Sequence, residues 1–74
     1  MKALTKRQLQ IIQTSIELIG NGGIQELTIK NLSRKIGFVE AAVYRHFASK
    51  SEILLTVLEL LSQNVQQRFM SIND

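Results

Sequence analysis

Five basic side chains fall within residues 30–50 of this chain, Lys30, Arg34, Lys35, Arg45 and Lys50, and Glu40 is the one acidic residue among them. The same stretch holds the single histidine, His46, and three of the four aromatic residues, Phe38, Tyr44 and Phe47. The formal charge of the whole chain is only +3, so the positive charge is gathered rather than spread. Basic side chains interleaved with aromatics make a footprint for nucleic acid, because cations meet phosphates and attract a polyanion from a distance. Taken alone, the charge also fits a plain solvated basic surface.

Lys50 sharpens that choice. Ser49-Lys50-Ser51-Glu52 reads as a capping box, with Ser49 as the cap and Glu52 reaching back, so Lys50 lies in the first turn of a helix. A cation there opposes the helix macrodipole, at a cost of about 0.3 kcal/mol or somewhat more. The unpaired N–H groups of that turn and the lysine together suit an anion. A solvated lysine that tolerates the small cost is the other reading. With Tyr44 and His46 just upstream, the residue types favour phosphate.

Other chemistries find no residues. There is no paired-carboxylate signature, no nucleophile with a base and no glycine-rich loop after a strand, so an enzyme is not expected. Gly20-Asn21-Gly22-Gly23 follows a helical pattern and reads as a connection. Cysteine is absent, which excludes disulfides and thiolate metal sites, and one histidine cannot build a zinc site unaided. No metal or cofactor is implied. No apolar run approaches the ~20 residues that span a bilayer. The charged start, Met1 to Arg7, is followed by Gln8, Gln10 and Gln13 rather than an apolar run, so it is not a signal peptide. The expected location is the cytoplasm.

The elements that must position the basic stretch are helical throughout. Proline is absent and no alternating strand pattern appears. Leu9, Ile12, Ile16 and Ile19 recur at helical spacing and predict a first helix over about residues 5–19, ended by the Gly20–Gly23 run through a left-handed C-cap. Thr28 caps a second helix whose inward residues are Ile29, Leu32 and Ile36, and Gly37 stops it. A short third helix covers about residues 40–47, with Val43 and Phe47 facing inward. A fourth begins after Ser49, carries Ile53, Leu54, Val57, Leu58, Leu61, Val65 and Phe69, and extends to about residue 70. Two short helices joined by a tight glycine turn make a helix-turn-helix, whose second helix enters the major groove. Ser33, one turn before Gly37, is small enough for the two helices to approach. A purely structural helical hairpin would share this spacing.

The run Thr28-Ile29-Lys30-Asn31-Leu32-Ser33-Arg34-Lys35-Ile36-Gly37-Phe38, followed by Ala42-Val43-Tyr44-Arg45-His46-Phe47-Ala48-Ser49-Lys50-Ser51-Glu52-Ile53-Leu54, resembles the N-terminal domain of the TetR family of repressors. The resemblance covers about residues 7–60. It implies an all-α fold: a three-helix, homeodomain-like head with a helix-turn-helix over residues 1–48. A fourth helix over 49–74 would link the head to a C-terminal ligand-binding and dimerisation domain outside this sequence. It also implies a transcription regulator that binds double-stranded DNA at a palindromic operator as a homodimer, with release by a small-molecule effector. It places Thr28, Tyr44, His46 and Lys50 at phosphates. Lys30, Glu40, Ala41, Ala42 and Arg45 fall where bases or flanking phosphates are reached. Val39 stands where a serine or threonine usually caps the third helix. Glu40 replaces a frequent lysine, arginine or glutamine, Ala41 a frequent glycine, and Ala42 a frequent threonine or serine. These departures concern the operator rather than the fold.

Plainer readings stand beside these. Tyr44 could be a core aromatic with its hydroxyl outward, and His46 a surface histidine of no consequence. Phe38 and Phe47 read as core rather than base-stacking residues. Beyond repression, the same head would serve an architectural or cell-division adapter protein that binds DNA and recruits a partner, and a bundle that docks proteins along its fourth helix is a third possibility. The apolar stripe Leu58, Leu61, Val65 and Phe69 runs past the reach of the head. It either pairs with a second copy or stays exposed, and tight DNA binding is expected to need two heads.

Overall fold

The computed structural model describes residues 3–73, with side chains through residue 63. Helix α1 spans Lys6–Gly22, a 3-10 turn follows at Ile24–Glu26, and then come α2 at Ile29–Ile36, α3 at Glu40–His46 and α4 at Lys50–Asn73. No strand occurs among the described residues. Helix α1 is the hub, packing against the 3-10 turn, α2, α3 and α4, while α2 packs against α3. The core gathers Ile11, Ile12, Leu27, Ile29, Leu32, Val43, Phe47, Ile53 and Val57.

The inward face of α1 differs from the expected stripe. Leu9 and Ile16 are 41% and 38% exposed, and the buried residues are Ile11, Ile12 and Ser15. The helix is rotated so that a serine sits at the centre of its contact face. Ser15 can be fully buried because its hydroxyl donates to the Ile11 carbonyl 2.8 Å away, which leaves no polar group unpaired. Its small volume also lets neighbouring elements come close. A pattern of apolar residues alone passes over such a position.

The end of α1 differs too. Gly20, Asn21 and Gly22 are helical, and the chain turns at Gly23, with φ 92° and ψ 174°. That is an extended conformation of positive φ which essentially only glycine adopts, not a left-handed cap. Its N–H donates to the Ile19 carbonyl at 2.8 Å. Helix α3 ends at His46, with Phe47 as the residue that closes it. In α4, Ile53 and Val57 are buried and Leu54 and Leu60 lie against the core, whereas Leu55, Leu58 and Leu61 are exposed. The side chains of Val65 and Phe69 lie outside the described residues.

The turn between α2 and α3 is built as its residues suggest. Thr28 accepts from the Asn31 N–H at 3.0 Å and so starts α2. Gly37 ends it at φ 89° and ψ 22°, in the left-handed region. The Ser33 carbonyl then accepts from both the Gly37 and Phe38 N–H groups, each at 2.9 Å. Ser33 is itself buried, and its hydroxyl donates back to the Lys30 carbonyl at 3.0 Å.

A Cβ at Gly37 would meet nothing within 4 Å, so a substitution there is penalised by backbone conformation and not by crowding. Gly37→Ala is expected to destabilise the head by about 1–2 kcal/mol, and Gly37→Asn by clearly less, since asparagine visits the left-handed region more readily. Urea denaturation of the two variants checks the order. Equal losses would mean that contacts, not φ, set the cost.

Candidate nucleic-acid interface

Helix α3 has only seven residues and presents its faces unequally. Val43 and Phe47, one turn apart, are buried and fix its rotation. Glu40, Ala41, Tyr44 and Arg45 are then exposed, while Ala42 and His46 are half-buried. Tyr44 is 49% exposed, so it is not the core aromatic that its type allowed. Phe47 is core, and Phe38 is half-buried against the same cluster. Val39 precedes the helix without a side-chain cap, as its apolar side chain requires, and Glu40 puts a carboxylate in the first turn, at the positive end of the macrodipole.

The remaining candidate residues sit at the starts of the flanking helices. Thr28 is half-buried at the N-cap of α2, and Lys30 is exposed in the first turn of that helix. The Thr28 hydroxyl accepts from the helix and keeps its own proton to donate. Lys50 is exposed as the first residue of α4. Ser49 accepts from the Glu52 N–H at 3.2 Å. Glu52, however, accepts from the N–H of Ala48 at 3.0 Å, one residue earlier than in a regular capping box. The carboxylate therefore holds the link between α3 and α4 as well as the helix start. Not every cation of the basic stretch belongs to this surface, because Lys35 pairs with Glu17 on α1 at 3.5 Å. Both partners are largely exposed, which makes that pair weak.

Two residues on α1 complete the site, and neither was among the candidates. The Gln8 side chain is used at both ends. Its Oε1 accepts from the Thr5 N–H at 3.0 Å while Thr5 Oγ1 accepts from the Gln8 N–H at 3.1 Å, a capping box that starts α1. Its Nε2 donates to the His46 carbonyl at 3.2 Å, at the end of α3. One residue earlier, the Arg7 guanidinium lies 5.3 Å from the centre of the Phe38 ring, in the turn before α3. The first turn of α1 thus holds both ends of the short helix. The Thr5-x-x-Gln8 spacing is a legible capping signal, but nothing in it points to His46.

Comparison with known proteins agrees with this geometry. The family model for bacterial regulatory proteins of the tetR family matches residues 11–57. Among curated proteins, the chain is similar to the nucleoid occlusion factor SlmA of Vibrio cholerae, 31% identical over 74 residues, covering 99% of this chain and 37% of that relative. It is 32% identical over 65 residues to SlmA of Haemophilus ducreyi, covering 86% of this chain and 32% of that one. For SlmA of Alteromonas mediterranea the identity is 32% over 68 residues, covering 92% and 35%. The chain spans about a third of the length of these relatives. No solved structure matches significantly.

The double role of Gln8 can be separated by Gln8→Glu. The carboxylate keeps the acceptor that caps α1, and the macrodipole favours it there. The donor to His46 is lost. If the link to α3 outweighs the cap, the variant loses about 1 kcal/mol of stability with the far-ultraviolet helical signal of the folded state unchanged. A variant as stable as the parent in urea would mean that the link contributes no more than the improved cap returns.

Proposed function

The chain belongs to the tetR family of bacterial regulatory proteins, and from that membership we propose that it binds a specific duplex sequence through α3 and regulates transcription, as a repressor. The observation that carries the reading is the division of α3: Val43 and Phe47 hold it in the core, and Glu40, Ala41, Tyr44 and Arg45 are left with solvent. A helix of that kind, second in a helix-turn-helix, docks in the major groove with its N-terminal residues at base edges. Thr28, Tyr44, His46 and Lys50 anchor phosphates. Lys30, Glu40, Ala41, Ala42 and Arg45 face bases or their flanking phosphates, with Glu40 accepting from a cytosine amino group and Ala42 touching a thymine methyl. The module binds rather than catalyses, and it works in the cytoplasm.

One short helix reads few base pairs, so two heads on a palindrome, about one helical turn or a multiple apart, are needed for tight binding. Dimerisation and any response to a small-molecule effector belong to protein outside the helical head. A second reading is favoured by the relatives, which are named as nucleoid occlusion factors. In it the same head binds chromosomal DNA and recruits a partner in place of blocking a promoter. A reporter gene placed behind the selected duplex separates the two: repression follows from the first reading and unchanged transcription from the second.

The anchoring and reading roles part under mutation. Lys50→Ala should weaken every duplex alike and lower the salt dependence of binding by about 0.9 in log–log slope, the loss of one phosphate contact. A changed sequence preference with an unchanged slope would refute the anchoring role. Glu40→Gln should instead alter the preferred base at one position of each half-site, read by selection from a random duplex pool. The same selected motif from parent and variant would refute the reading role.

A further inference from the structure

Val39 stands at the N-cap of α3 and does not cap it, since its side chain makes no hydrogen bond to the helix. A serine, threonine, asparagine or aspartate there would stabilise the helix by about 1 kcal/mol. Nor does the core gain from the valine. It is 72% exposed, the most of any large apolar side chain among the described residues. Its apolar neighbours along the chain, Phe38 and Val43, are packed inward. The backbone at Val39 is nonetheless fixed, extended at φ −79° and ψ 155°. Its carbonyl accepts from the Ala42 N–H at 3.0 Å. A β-branched side chain on a fixed backbone has few rotamers. Two methyl groups are therefore held with little freedom at the leading edge of the helix, where the fold has no use for them.

We infer that Val39 is a specificity residue that reads the C5-methyl group of a pyrimidine in the major groove. The inference rests on the reading of this chain as a DNA-binding head. Of the four bases, only thymine offers a methyl group on its major-groove edge, and the others offer donors and acceptors alone. A side chain with neither donor nor acceptor gains from contact with the methyl. Against a purely polar edge it would strip water from groups it cannot pair. 5-Methylcytosine presents the same group, so the shared chemistry is the methyl and not the base. A single valine beside the Glu40 carboxylate is too small an apolar surface to dock a protein. Val39 thus reads one position by shape next to whatever Glu40 reads by charge.

The test uses the tightest duplex selected from a random pool, with each thymine replaced in turn by uracil, which removes only the methyl. The parent protein should lose about fourfold in affinity at one position per half-site, the factor expected for one methyl-sized apolar group left in water. Val39→Ser supplies the missing cap, so it should be at least as stable in urea as the parent. It should bind thymine and uracil duplexes equally. At the sensitive position, 5-methylcytosine should bind more tightly than cytosine to the parent and not to the variant. A gain with 5-methylcytosine larger than that with thymine would support the contact and identify methylated DNA as its source. If the parent binds a selected duplex but no thymine matters, or if the response persists in Val39→Ser, the inference is overturned while DNA binding stands. If no duplex binds in a salt-dependent manner, the DNA-binding reading falls with it.

Discussion

A helix of seven residues does not persist alone in water, because nucleating it costs more than its few hydrogen bonds return. Helix α3 exists by virtue of Val43 and Phe47, both buried in the core. Those two contacts also set its rotation. Side chains one turn apart on the inward face leave the opposite face outward, and on so short a helix there is no room for a second choice. Arg7 and Gln8 then restrain the two ends, one through the Phe38 ring and the other through the His46 carbonyl. The exposed surface of α3 is consequently a product of the core, and its orientation is only as firm as the packing of Val43 and Phe47.

The flanking helices solve the same problem with caps. Thr28 starts α2, Ser33 and Gly37 end it, and Glu52 ties α4 back to Ala48. Each device closes a backbone group that would otherwise be unpaired, and each sits within a few residues of a candidate DNA-contacting side chain. Lys30 follows the first, Glu40 follows the second, and Lys50 lies inside the third. Local hydrogen bonds therefore serve as mounts for these side chains. The cation at Lys50 works against its own helix, but the cost is small beside the hydrogen bonds that hold the turn.

These mounts were largely legible in the sequence because they depend on residue type at short spacing: threonine or serine before a helix, glycine after one, glutamate three residues past a serine, although Glu52 closes on Ala48 and not on Ser49. The pairing of Val43 with Phe47 was legible for the same reason. What escaped depends on contacts distant in the chain. The rotation of α1 is set by four other elements at once, so of the plausible stripe the packing keeps Ile12 and rejects Leu9 and Ile16 in favour of Ile11 and Ser15. Ser15 is invisible to a pattern that equates buried with apolar, since its polarity is cancelled inside its own helix. The link from Gln8 to His46 joins residues 38 apart and has no local signature. The helical continuation through Gly20, Asn21 and Gly22 is also tertiary, since α1 packs against the 3-10 turn that follows them and tolerates residues a lone helix would shed.

Folding and recognition draw on different residues of the same helices. Leu32, Ser33, Val43 and Phe47 are enclosed, and replacing any of them disturbs the packing of the head. Glu40, Ala41 and Arg45 touch little of the fold, so the chain can exchange them at slight cost to stability. Membership of the family accordingly accounts for how the head is built, and under the proposed function the target is left to a few side chains on α3. The departures from the pattern that the resemblance implies lie at Val39, Glu40, Ala41 and Ala42, of which only Ala42 is half-buried. The two alanines add no polar group and shorten the helix surface, so a duplex edge could approach the α3 backbone more closely than longer side chains would allow. A carboxylate and a valine are then the features that protrude at the start of that helix, one repelled by phosphate and the other indifferent to it. On the proposed reading, affinity would then come from the cations and hydroxyls around the rim, and discrimination from the start of α3.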